Sequence, residues 1–149
     1  MRWKILGIFL RVSLLIVIAG GVPGQGEKPK AAAPLGKTEW KLVWLANTKI
    51  ESGTPQQMPY IQLDPDTHRV SGSDGCNRLM GGYELEGDHL KFTQMATTRM
   101  ACIHGNDTEA NFSKALDQVR EWMISKGKLL LLDADHHVVA KFSPITPES

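Results

Sequence analysis

Apolar and polar residues alternate with a period of two in short runs along most of the chain, and this pattern predicts strands. In Thr38–Leu45, Trp40, Leu42 and Trp44 fall on one side and Val43 and Leu45 on the other, a strand packed on both faces at its end. Tyr60–Leu63 and Arg69–Ser73 form a second pair around the turn Asp64-Pro65-Asp66-Thr67, where Pro65 presets φ and Asp64 can bond the backbone beyond it. Tyr83-Glu84-Leu85 and Leu90-Lys91-Phe92 predict a hairpin around Glu86-Gly87-Asp88. Between these units, Ala46–Pro59 reads as a loop, and the glycine-rich DGCNRLMGG as a corner or bulge. The period then changes. Phe112, Ala115, Leu116 and Val119 stand at helical spacing, and Asn106 with Glu109 has the form of a capping box. Glu121–Ile124, the four-leucine run Lys128–Leu132 and Val138–Phe142 close the pattern, with turns at Lys126-Gly127 and Asp133-Ala134-Asp135. The expected fold is α+β: an antiparallel sheet of about seven or eight short strands, curved or barrel-like, with one packed helix.

The first segment obeys a different rule. Arg2, Lys4 and Arg11 precede the apolar run Val12–Ala19, and small residues follow, which is the form of a secretory signal. The run is shorter than the ~20 residues a membrane helix needs, and Arg11 would be costly at membrane depth. The division expected for the 149 residues is a signal at 1–24, a flexible linker at 25–37, a domain at 38–143 and a disordered tail at 144–149. The leader holds three basic and no acidic side chains, so a formal charge of +1 for the whole chain becomes −2 without it. A weakly acidic domain with no basic cluster is poorly suited to nucleic acid. Export places it in the periplasm or outside the cell, with no stable membrane span after signal cleavage.

Export also bears on the two cysteines, Cys76 and Cys102. In an oxidising compartment a lone pair of cysteines favours a disulfide, which would close the stretch from Ser71 to Cys102 and brace the sheet. The alternative is a thiolate nucleophile, for which His104 is the nearest histidine in sequence. Metal ligation has little support: Cys102 and His104 form a weak pattern, and His136 and His137, being adjacent, point to opposite sides. Asp64/Asp66 and Asp133/Asp135 flank turns, and turn chemistry accounts for them. No cofactor motif is present, and no catalytic or metal-binding set is expected. Asn77, Arg78 and Arg99 bracket the cysteines, where they can bond turn carbonyls or line a binding surface.

Gly75-Cys76-Asn77-Arg78, Gly82-Tyr83, Leu90 and Thr98-Arg99-Met100-Ala101-Cys102 together resemble the META domain, also called HslJ-like after a heat-shock protein. The resemblance covers roughly Thr38–Ser143 and includes the early Trp40-Leu42 strand and the late helix. It implies an antiparallel sheet with a helix in an envelope or secreted protein, and pairing of Cys76 with Cys102. Gly75, Asn77, Arg78, Arg99 and Met100 match motif positions without an implied catalytic role. The function expected is non-catalytic, exported and associated with stress, exercised as a monomer through an envelope protein or component. The second reading is a small-ligand carrier with a pocket between sheet and helix, lined by Trp40, Trp44 and Trp122.

Overall fold

The computed structural model describes residues 34–51, 57–100 and 107–145. The signal at 1–24 and most of the linker lie outside them, as do Asn106 and the end of the tail. Nine strands and one helix follow in order: β1 (Glu39–Leu45), β2 (Thr48–Lys49), β3 (Tyr60–Asp64), β4 (Arg69–Ser73), β5 (Arg78–Glu86), β6 (His89–Thr97), α1 (Asp107–Gln118), β7 (Glu121–Ser125), β8 (Lys128–Leu132) and β9 (Val138–Pro144). All strand pairs are antiparallel, and β1 pairs with both β3 and β9. The sheet therefore closes on itself as a barrel, with β2 as a short flap on β1. The expected α+β class with a curved antiparallel sheet and one helix is what the chain adopts.

The ring has a weak seam. β6 and β7 meet in register only at His89 and Glu121, and α1 fills the connection between them. The apolar stripe of α1 explains why the seam holds. Phe112, Ala115 and Leu116 are buried, as is Val119 just beyond the helix. The helix packs on β1, β6 and β9, and the Phe112 ring lies 6.2 Å from that of Phe142. Trp40, Leu42, Ile61, Leu63, Leu129, Leu131 and Phe142 complete a continuous interior, all at 0 % exposure. At roughly 1.5–3 kcal/mol per buried large side chain, this interior is the main source of stability.

Three departures from the alternation pattern have local causes. A bulge between Leu42 and Trp44 moves Trp44 out of line with Trp40 and Leu42 and turns Leu45 inward. Trp44 instead carries the ammonium of Lys141 at 4.7 Å from its ring centroid. The loop expected at 46–59 contains β2, reached through Ala46 and Asn47 at φ 44° and 69°, the two positive values a tight hairpin turn requires. The third departure is in β5 and β6, which run nine residues each, well past the short hairpin the pattern predicts. A second bulge there lies between Met80 and Gly82, where a Cβ on Gly81 would stand 2.5 Å from the Met95 sulfur.

The ends are tied in. Leu35 is buried ahead of the first alternating strand, its carbonyl accepts the Trp40 indole N–H at 3.0 Å, and the Lys37 amide donates to the Leu63 carbonyl at 2.8 Å. Pro144 is the last residue of β9 and stands opposite Trp40.

Candidate functional site

The motif residues gather at one corner of the barrel. The chain leaves β4 at Ser73 and enters β5 at Arg78 through a four-residue turn, and the Asp74 carboxylate organises it. Asp74 Oδ1 accepts the amides of Cys76 at 3.0 Å and Asn77 at 2.7 Å, and the Asp74 amide donates to the Asn77 carbonyl. This is an Asx turn, the local bond that aspartate favours over extended structure. Gly75 is at φ 102°, and a Cβ there would meet the Gln57 carbonyl oxygen at 2.8 Å.

Asn77 then reaches across to the other half of the motif. Its Oδ1 accepts the amide of Met100 at 2.7 Å, and its Nδ2 donates to Asp74 Oδ2 at 3.4 Å. The Thr98 amide donates to the Arg78 carbonyl, and the Arg78 amide donates to the Thr98 hydroxyl, both at 3.0 Å. Asp74 and Asn77 are the two buried polar side chains of the described residues. The arrangement latches the start of β5 to the chain that leaves β6. The Arg78, Arg99 and Met100 side chains extend outward into solvent.

One expectation at this corner requires correction. Cys76 is half-buried and is not a free thiol. Cys102, however, lies outside the described residues, and no sulfur–sulfur contact between the two belongs to the described structure. The Cys76–Cys102 disulfide is therefore not what is seen to brace the sheet. The bonds of Asp74 and Asn77 occupy that role. His104 is also outside the described residues, so no thiol–imidazole pair is formed within them.

At the barrel end that carries the β3–β4 and β5–β6 turns, a cleft of about 550 Å³ opens among His68, Tyr83, Leu85, Leu90, Lys91 and Arg120. Tyr83 is only 4 % exposed, and its ring meets that of His68 edge-on at 5.7 Å. Burial, and then the nearby Asp64 and Asp66 carboxylates, push its phenol above the usual range. The hydroxyl is therefore a neutral donor at ordinary pH. Sequence reasoning passed over Asp74, and it placed Tyr83 in a hairpin and a family motif without a role at a site. Ser73-Asp74-Gly75 carries a readable turn signal, whereas nothing local in the sequence says that Tyr83 lines a cleft.

A third cluster lies in the β8–β9 turn. Asp133 Oδ1 accepts the amides of Asp135 and His137, both at 2.9 Å, and these contacts hold its pKa below the ordinary carboxylate value. His136 and His137 do diverge: His136 bonds Glu121 at 2.8 Å, and His137 faces Asp133. Potential ligand atoms of Asp133, Asp135 and His137 lie within 4.8 Å of one another, on side chains that the turn itself employs. Asp64 repeats this chemistry in the β3–β4 turn, where its Oδ1 accepts the Asp66 amide. Neither turn joins a nucleophile to a base.

The three tryptophans do not share a pocket. Trp40 is enclosed, Trp44 packs under Lys141, and the Trp122 indole N–H donates to the Gly87 carbonyl at 2.9 Å. The space expected between sheet and helix is filled by Phe112, Leu116, Val119 and Phe142.

Comparison with known proteins fits this geometry. A protein from Burkholderia xenovorans, solved by NMR, is 24 % identical, with a TM-score of 0.58 over 82 % of this chain and 98 % of its own. A second NMR structure is 22 % identical, with a TM-score of 0.56 over 71 % and 87 %. At these identities the likeness concerns the fold. No curated protein matches. The family model for the META domain matches residues 33–144, which include the barrel, the helix and both halves of the corner motif. The chain belongs to the META domain family.

Proposed function

We propose that the chain is an exported, non-catalytic domain of the cell envelope, associated with stress, which acts by binding an envelope protein or component. The observation that carries this reading is the filled interior. Among the described residues, Trp40, Phe112, Val119 and Phe142 occupy the barrel interior at 0 % exposure. Among the described residues there is no cluster in which a nucleophile meets a general base. Binding then falls to the outer surface, where Met80, Leu85, Met100, Met123 and Ile145 are exposed. No described helix is long and apolar enough to cross a membrane. The charged leader and short apolar run supply the argument for export. The carrier reading loses the sheet–helix pocket on which it depended.

Two measurements test this proposal. Fractionation of cells expressing the full chain should place a shortened form in the envelope or medium; a full-length form confined to the cytosol contradicts export. Cross-linking in envelope fractions, with and without heat stress, should give a reproducible stoichiometric partner. Its absence under both conditions contradicts the binding role.

A further inference from the structure

Lysines from opposite ends of the domain share one outer face of the barrel. Trp40, Leu42, Leu129, Leu131, Ala140 and Phe142 point inward, which leaves Lys41 of β1, Lys128 of β8 and Lys141 of β9 on the outside of adjoining strands. The bulge in β1 turns Trp44 outward as well, and Lys49 of β2 stands opposite it in register. None of these four lysines has a carboxylate within ion-pair distance among the described residues. Lys128 bonds the Ser143 hydroxyl at 3.3 Å, and Lys141 lies on the Trp44 ring. The acids stand at the margins. Glu39 and Glu51 flank β1 and β2, while Glu121 and Asp133 sit at the far end of β7 and β8, paired with His136 and His137.

Between the lysines the surface is apolar. Met123, Leu130, Lys141 and Trp44 follow one another in register from β7 to β1, and Leu132 pairs with Val138 one row away. Trp44, Leu130 and Leu132 stand outside the core cluster, and Met123 is 46 % exposed. The leucine run of β8 thus serves two faces, the core through Leu129 and Leu131 and the exterior through Leu130 and Leu132. Beside Lys41 a groove of about 440 Å³ runs over Val43, Met58, Tyr60 and Ile145.

A face that mixes lysine with apolar and aromatic side chains fits an anionic lipid surface better than a protein. Lysine is depleted from protein interfaces, where its strongly hydrated charge would lose water. At a membrane it keeps its head in water beside the phosphates, while its stem and the neighbouring aromatic rings lie at the headgroup level. Each lysine close to an anionic leaflet adds attraction, and here the strands that carry them are only about 4.8 Å apart.

We propose that the outer face of β8, β9 and β1 docks on a membrane of anionic phospholipid, held by Lys41, Lys49, Lys128 and Lys141 around Trp44 and Leu130. The inference deepens the binding role given above and rests on it: the envelope component is the lipid surface itself.

Lysine acetylation read by mass spectrometry tests this on the full chain, with vesicles of phosphatidylglycerol and phosphatidylcholine in equal parts and with phosphatidylcholine alone. The basic leader can itself hold the chain on a vesicle, so the readout is which lysines are shielded, not how much protein sediments. Lys91, exposed on β6 across the barrel, is the internal control. On the anionic vesicles the four lysines should react several-fold more slowly while Lys91 keeps its rate. The shielding should vanish on phosphatidylcholine and in about 1 M salt. Lys41→Gln/Lys128→Gln, with a melting temperature equal to the parent's, should weaken docking by about twentyfold, so that Lys49 and Lys141 lose their shielding. Equal shielding of Lys91, shielding that persists on phosphatidylcholine, or a double variant that docks as the parent does would overturn the proposal. So would four unshielded lysines on anionic vesicles beside a protein partner captured by cross-linking; the binding role would then stand and the lipid inference would fall.

Discussion

The corner at Asp74–Asn77 and the cleft at Tyr83 each place a polar side chain in a mostly buried setting, and they treat it in opposite ways. At the corner the acceptors of Asp74 and Asn77 meet backbone amides of Cys76, Asn77 and Met100. The hydroxyl of Tyr83 has no hydrogen-bond partner among the described residues, and the charges that act on it are those of Asp64 and Asp66. A buried polar group costs free energy unless it is paired, so the first arrangement is what folding alone would keep. The second carries no such cost, because the hydroxyl is not sealed from solvent. Both Asn77 and Tyr83 are among the residues that carry the family resemblance, yet the one holds the corner through its bonds and the other stands elsewhere on the barrel without them.

The largest effect should follow loss of the corner's anchor. Asp74→Ala strips the acceptor from two amides and should cost about 2–3 kcal/mol, a fall in melting temperature of roughly 10 °C by calorimetry. Gly75→Ala places a Cβ against the Gln57 carbonyl at a positive φ and should cost about 1–2 kcal/mol in urea unfolding. Arg99→Ala is the sharper control. Arg99 is a motif residue, yet its side chain is exposed, so stability should change by less than about 0.5 kcal/mol. A loss as large as that of Asp74→Ala would merge the two classes of motif residue that the structure separates.

The smallest effect belongs to the surface pair. Hydrogen bonding and charge from Glu121 raise the His136 pKa above its ordinary value. Its contribution to stability is then fully present below the unfolded value near 6.5 and is lost as pH rises through the higher folded value. Glu121→Gln should flatten that slight decline in a pH series of melting temperatures. The exposed setting of His136 keeps the effect small.

Much of the fold is legible in the sequence, because period and turn chemistry are local properties. The stripe Phe112, Ala115, Leu116 and Val119 predicts the packed face of α1, and Lys126-Gly127 the positive-φ turn after β7. Bulges are another matter. Trp44 continues the alternation of Trp40 and Leu42 in sequence, and only its pairing with β9 shows the added residue that turns it outward. The length of β6 was hidden for a similar reason: Thr93–Thr97 is polar and mixed, and its strand form comes from its partner β5. At the site, Asn77 was legible as a motif residue, but its bond to Met100 spans 23 positions and needs the fold to be seen. Tyr83 was legible only as a core residue, since alternation reports the direction of a side chain and not what surrounds its far end.

Paired urea unfolding of Asn77→Ala and Tyr83→Phe tests the contrast most directly. The account predicts that Asn77→Ala loses about 2 kcal/mol while Tyr83→Phe stays within about 0.5 kcal/mol of the parent. A Tyr83→Phe protein as destabilised as Asn77→Ala would show that the hydroxyl is tied into the fold, and would contradict the account.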